Sequence, residues 1–318
     1  MNKQYVVGID IGGTNTVFGI VDARGNVLAK SSVKTAVHQD INLYINDIYE
    51  EFLKIAKDFG GIENIKGIGI GAPNGNYYTG NIEFAPNLIW KGIIPLSKLV
   101  SEKFGVPAVV TNDANAAAIG EMTYGAARGM KNFIIITLGT GVGSGIVIDG
   151  KLVYGHDGFA GELGHTCSVR ENGRQCGCGR KGCLETYASA NGLARTAREF
   201  IETRKDPSIL RNIPCETITS KDVYEAAKQG DKLAIEIFEF TGKILGESLS
   251  DFVAFSAPEA IVLFGGLAKS GDFILKPTVE HMEKNLLVLW KNKVKVLFSA
   301  LKEADAAILG ASALAWEV

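Results

Sequence analysis

Between Gly161 and Thr186 the chain gathers one histidine and four of its five cysteines. Ten residues separate His165 from Cys176, one separates Cys176 from Cys178, and four separate Cys178 from Cys183. Thiolate sulfur and neutral imidazole suit zinc, and four protein ligands complete a structural tetrahedral site. Any fold that satisfies these four donors must bend the segment 165–183 onto one point. Gly177, Gly179 and Gly182 supply the tight turns this needs. Packed or redox-active cysteines are the competing use. Packing does not explain Cys-x-Cys followed closely by a third Cys with a His upstream. Cys167 and Cys215 are left over and read as structural. Cysteines clustered as ligands fit a reducing cytosol, so a cytoplasmic protein is expected.

The 318 residues suit about two domains. A hydrophobic content of 46% and a net charge of −2 fit an ordinary globular protein and give no electrostatic case for binding nucleic acid or a membrane. No apolar run is long enough to span a bilayer, and the start of the chain enters a strand with no signal-peptide pattern.

The chain opens with an apolar run, Tyr5 to Ile11, broken by Asp10. Gly12-Gly13-Thr14-Asn15 follows, then a second strand from Thr16 and a third from Val27. A carboxylate inside an apolar strand is costly unless it has a task. The glycine turn beside it can offer backbone N–H groups to a phosphate. Phe133 to Leu138 repeats the arrangement. It leads into Gly139-Thr140-Gly141-Val142-Gly143-Ser144-Gly145, a strand from Ile146 to Ile148, a turn at Asp149-Gly150, and a strand from Leu152 to Tyr154. Two such units predict two related lobes presenting glycine turns to a shared cleft.

Between the units, apolar spacing predicts a helix over 40–60 and a strand over 66–72. A strand over 107–110 ends in Thr111-Asn112-Asp113-Ala114-Asn115. In α/β sheets ligands gather beyond the carboxyl ends of strands. Asp113 could serve as an N-cap, but Asn112, Asp113 and Asn115 are more polar chemistry than one cap needs. After the cysteines, helices are expected over 186–203, 221–229, 231–255, 271–286 and 305–316, and strands over 260–264 and 294–298. Other nucleotide motifs fail on context. Gly177, Gly179 and Gly182 match G-x-G-x-x-G inside the cysteine cluster. Gly67, Gly69 and Ala72 run into Pro73, and Gly145 to Lys151 ends in Leu152 where a P-loop needs Ser or Thr.

Six stretches occur in the order seen in the ROK family of sugar kinases and repressors, which the chain resembles over nearly its whole length. They are Asp10-Ile-Gly-Gly-Thr-Asn15, Asn112-Asp113, Leu138-Gly-Thr-Gly-Val-Gly, Glu162-Leu-Gly-His165, Cys176-Gly-Cys-Gly-x-x-Gly-Cys183 and Gly265-Gly266. The resemblance is to bacterial glucokinase-type members. It implies an α/β, two-lobed actin-like ATPase (ribonuclease H-like) fold with a central cleft and a zinc-binding insertion in the larger lobe. Residues 1–114 with 305–318 would form the smaller lobe, and 115–304 the larger, with the zinc motif at 165–183.

The implied reaction is ATP-dependent phosphorylation of a hexose 6-hydroxyl, glucose first. Other hexoses or N-acetylated amino sugars are the alternatives: N-acetylmannosamine, N-acetylglucosamine, fructose or allose. Asp113 matches the general base. Asn87, Asn112, Glu162, His165 and Glu185 match the sugar contacts, with His165 also a zinc ligand. Gly12, Gly13, Thr14, Asn15, Thr140 and Gly141 would hold phosphates, Gly265 and Gly266 the adenosine, and Asp10 would orient Mg²⁺ through water. The family also implies a homodimer. Asn15 stands where many members carry Lys, and Pro73-Asn74-Gly75 where many have Pro-Gly. A sugar-responsive repressor would need a preceding helix-turn-helix and basic surface, for which the sequence offers no room. A zinc hydrolase would need an open metal position, which four protein ligands deny.

Overall fold

Two largely buried apolar runs and one alternating strand make an antiparallel meander of Tyr5–Ile11 (β1), Asn15–Asp22 (β2) and Val27–Lys34 (β3). The computed structural model describes residues 3–301 and 303–318. The helix Ile41–Ala56 (α1) is capped by the Asp40 side chain and stops before Gly60, which is left-handed at φ 79°. Its Tyr44, Ile45, Ile48 and Phe52 are buried with Phe18 and Ile20 of β2 in one core. Ile65–Gly71 (β4) then joins β1 in parallel. A short hairpin, Ile82–Glu83 (β5) with Ile93–Ile94 (β6), leads to the helix Leu96–Phe104 (α2) and to Ala108–Thr111 (β7), which is parallel to β4. The first sheet therefore has the order β3-β2-β1-β4-β7.

The alanine-rich helix Asp113–Tyr124 (α3) leaves this sheet and leads to the second meander. That meander comprises Phe133–Leu138 (β8), Val142–Ile148 (β9) and Lys151–Leu152 (β10). The short helix Glu185–Ala188 (α4) and then Ala190–Thr203 (α5), Ser220–Lys228 (α6) and Lys232–Ser256 (α7) build a helical layer. Ala260–Phe264 (β11) adds to β8 in parallel, the helix Asp272–Asn285 (α8) packs on α7, and Lys295–Phe298 (β12) closes the sheet. Its order, β10-β9-β8-β11-β12, repeats that of the first sheet, as the sequence echo predicts. Buried residues of α5, α6, α7 and α8 pack with Ile134, Ile136, Ile261 and Leu263 in a second core.

The last helix, Glu303–Leu314 (α9), returns to the first sheet. It lies so close that a Cβ on Gly8 would stand 2.0 Å from the Ile308 carbonyl oxygen, and one on Gly69 would stand 1.9 Å from that of Ala311. Three local expectations are corrected. β9 starts at Val142 rather than Ile146. The helix expected over 186–203 is broken at Ser189, which is extended and caps α5 through its hydroxyl to the Gly192 N–H at 2.9 Å. The strand after Gly150 is confined to Lys151 and Leu152. Among the described residues no helix is long and apolar enough to cross a membrane.

Candidate active site

The parallel register of β1, β4 and β7 sets Asp10, Gly71 and Thr111 in one row at the carboxyl end of the first sheet. The chain leaves that row through Asn112 and Asp113. Gly71 lies between the two acids: a Cβ there would stand at ordinary contact distance, 3.5 Å from Asp10 Oδ1 and 3.8 Å from the Asp113 Cα. The cap of α3 is Asn112, whose Oδ1 accepts the Asn115 N–H at 2.6 Å. Asp113 is the first helical residue and accepts the Ala114 N–H at 2.8 Å.

A cleft of about 540 Å³ opens at this point. It brings together Asp10, Asn87, Asn112, Asp113, Thr140, Gly141, Glu162, His165, Glu185 and Gly265, all singled out by sequence. Gly12, Gly13, Thr14, Asn15 and Gly266 are not part of its wall. The first four form a turn closed on itself by the Gly12 N–H donating to the Asn15 carbonyl at 3.0 Å. That turn abuts the wall, because a Cβ on Gly13 would stand 3.0 Å from the Asn87 carbonyl oxygen. The wall also includes Thr137, Ser144, Phe264, Ala306 and Ala307, which sequence reading missed. Thr137 and Ser144 lie within strands. Ser144 donates to the Gly161 carbonyl and accepts the Leu163 N–H at 3.1 Å, so it secures the segment carrying Glu162. Ala306 and Ala307 come from α9, at the far end of the chain.

Burial, with Asp113 beside it, pushes the Asp10 carboxyl up to about 7. Asp113 is open to the cleft but enclosed by protein on its other sides, and that burial raises it too. Glu162 is raised by burial; His165 opposes the shift, while Asp113 and Glu185 add to it. Four carboxylates face the cleft, and among the described residues its wall contains no lysine or arginine. Such a set accepts hydrogen bonds from hydroxyl groups, can take a proton, and fits a divalent cation.

Glu185, the first residue of α4, reaches the second glycine turn. Its Oε2 accepts the Val142 N–H at 3.0 Å, and a Cβ on Gly141 would stand 2.3 Å from that oxygen. The donor atoms of His165, Cys176, Cys178 and Cys183 all lie within 4.8 Å of one another. Cys178 Sγ is 3.7 Å from Cys183 Sγ, and Cys176 Sγ is 3.7 Å from His165 Nδ1. A tetrahedron with Zn–S arms of ~2.3 Å has edges of about 3.8 Å, so the four donors fit that ion. Cys167 stays outside the set, its Sγ 3.7 Å from the Val169 and Lys181 carbonyl oxygens. A second hollow, of about 310 Å³, adjoins the cleft at Phe264 and Gly265 and is walled by Leu263, Ala268, Phe298 and Leu301.

The ROK family model matches residues 6–318. The chain belongs to the ROK family. Among ROK family members, the glucokinase of Halalkalibacterium halodurans is 37% identical over 286 residues, which is 89% of this chain and 86% of that one. A ROK family glucokinase from Streptomyces griseus, solved in complex with glucose and AMPPNP, matches with a TM-score of 0.81 at 34% identity and covers 99% of this chain and 100% of its own. A ROK family transcriptional regulator, homologous to the E. coli MLC protein, matches with a TM-score of 0.88 at 25% identity over 99% of this chain and 78% of the regulator. The α/β fold is thus the one seen in ROK family glucokinase structures.

Proposed function

We propose that this protein transfers the γ-phosphoryl group of ATP to the 6-hydroxyl of glucose. The carrying observation is the convergence of Asp113 with Asn87, Asn112, Glu162, His165 and Glu185 beside the Thr140-Gly141 turn in one cleft. It is joined by 34% identity to a glucokinase solved with glucose and AMPPNP. The cleft volume, about 540 Å³, is in the range of small-molecule sites.

Asp113 takes the proton of the 6-hydroxyl as that oxygen forms a bond to the γ-phosphorus and the bond to ADP breaks. Its raised proton affinity suits this, because a base works best when its pKa approaches the working pH. Asn112, Asn87, Glu162 and Glu185 read the sugar hydroxyls, which carboxylates and amides accept and donate to at fixed angles. Thr140 and Gly141 hold phosphate oxygens at the second turn, with Gly12, Gly13, Thr14 and Asn15 at the first. The apolar hollow beside Gly265 and Gly266 takes the adenine. Asp10 would hold Mg²⁺ through water, and the metal charge neutralises the β- and γ-phosphates when bound.

His165, Cys176, Cys178 and Cys183 would hold zinc as a structural ion, and His165 would present its other ring nitrogen to the sugar. Residues 1–114 with 305–318 and residues 115–304 would act as two lobes closing on the substrates, which excludes water from the phosphoryl group. The reaction is assigned to the cytoplasm, where ATP and reduced thiols coexist.

ADP release measured across glucose, fructose, allose, N-acetylglucosamine and N-acetylmannosamine tests the reading. The highest kcat/KM is expected on glucose. Absence of turnover on every hexose would sink it, and a strong preference for an N-acetylated sugar would overturn the assignment of glucose.

A further inference from the structure

Among the described residues, the charged members of the cleft wall are four acids and one histidine, and Lys269 lines the adjoining hollow. A further lysine stands at the first glycine turn. Asn15, the first residue of β2, is directly opposite Lys34, the last residue of β3, in antiparallel register. Lys34 Nζ donates to Asn15 Oδ1 at 2.8 Å, and both residues are exposed. Lys34 is also tied to the turn through the backbone, because the next residue, Thr35, donates its N–H to the Thr14 carbonyl at 3.0 Å.

The face of the sheet is settled by alternation. The buried Thr16 hydroxyl bonds to Thr35 and to Tyr44 of α1, so Asn15 and Lys34 project from the opposite face. Val17, on that same face, packs against the cluster that holds Ile308 and Leu309 of α9. The first turn of α9 supplies Ala306 and Ala307 to the cleft wall. An ammonium on a four-carbon stem, held against the turn on the sheet face that α9 covers, is a flexible point charge within reach of a phosphate bound at that turn.

We propose that Lys34 is the cation of the first phosphate turn, engaging β- or γ-phosphate oxygens of the nucleotide, and that the Asn15 amide positions its ammonium beforehand. The proposal rests on the kinase reading. The competing role is a lysine that only keeps an edge strand from pairing.

The test compares wild type, Lys34→Met, and the double variant Lys34→Met with Asn15→Lys, which moves the ammonium across the ladder. ATP binding is measured by calorimetry without sugar, and steady-state rates are measured with ATP and glucose varied separately. Loss of a charge-assisted contact predicts a fall of about ten- to a hundredfold in ATP affinity and in kcat/KM for ATP. The KM for glucose and Tm should not move, and the double variant should recover most of the loss. Unchanged ATP affinity in Lys34→Met would overturn the proposal. So would a loss shared equally by glucose KM and Tm, or a double variant as weak as the single one. Wild type that binds ATP but phosphorylates no hexose would count against the kinase reading alone, and the calorimetric comparison would still decide the role of Lys34.

Discussion

Asp10 and Asp113 stand close together at the carboxyl end of the first sheet, and both are held above the ordinary carboxylate range, chiefly by burial. For Asp10 the value is about 7 in the folded protein against 3.8 for the free group. A folded pKa above the unfolded one means that its contribution to stability is fully present below the unfolded value and is lost as pH rises through the folded value. The ligand-free protein is therefore expected to lose stability between about pH 4 and pH 8 through this group. Asp10→Asn should lack that loss. At about 1.4 kcal/mol per pKa unit the difference is at most a few kcal/mol. Urea unfolding of both proteins across this range checks it, and parallel pH profiles would contradict it. The sequence left Asp113 with two possible uses, cap or base, because both need an acid at a strand-to-helix junction. The backbone geometry that gives the cap to Asn112 could not be read from residue types. Asn74 is similar. It sits in the left-handed region at φ 52° and donates its amide to the Glu83 carbonyl at 2.9 Å. Asparagine can hold that conformation where glycine is the usual choice.

At the scale of elements, the His-Cys cluster ties the cleft wall at Glu162 and His165 to the second glycine turn. Glu162 and His165 enter it and Glu185 leaves it, with Glu185 fastened to the Val142 N–H. If the cluster holds zinc as proposed, removing one of its four donors should loosen all three acceptors together. Cys178→Ser is expected to purify without stoichiometric zinc, to melt at lower temperature, and to raise KM for glucose about 10–100-fold with a smaller effect on KM for ATP. Metal analysis of the wild type is the control. Wild type free of zinc, or a variant with normal glucose KM, would contradict the role given to the cluster. The convergence of the four donors was legible because a shared centre restricts their spacing so strongly. The start of β9 was not. Gly143 and Gly145 look like loop residues, yet they sit in the strand to admit α3. A Cβ on Gly145 would stand 2.7 Å from Ala118 Cβ. A glycine placed for close helix approach and a glycine placed for a turn are the same letter in the sequence.

Over the whole molecule, two sheets of identical strand order contribute to a common cleft, and the duplication was legible in the second strand, glycine turn and strand that begin at Phe133. What was not legible is the irregularity between Ile20 and Val21 that sets the hairpin register placing Lys34 opposite Asn15, and the long-range return that brings α9 to the cleft. Contacts bridge the two halves of the chain at one end of the cleft. Tyr77 and Tyr154 stack at 4.2 Å, and the Asn76 amide donates to the Asp157 carbonyl at 2.7 Å. Closure about such contacts predicts that glucose lowers the radius of gyration in solution scattering at unchanged mass; an unchanged radius would count against two moving lobes. The central claim is that this cleft makes glucose 6-phosphate with Asp113 as its base. The direct measurement is phosphorus NMR of glucose and ATP incubated with wild type and with Asp113→Asn, alongside calorimetric glucose binding. The account predicts glucose 6-phosphate and ADP in equal amounts from wild type, and turnover reduced about 10²- to 10⁴-fold in the variant with glucose binding retained. Phosphate on another hydroxyl, or near-normal turnover in Asp113→Asn, would contradict it.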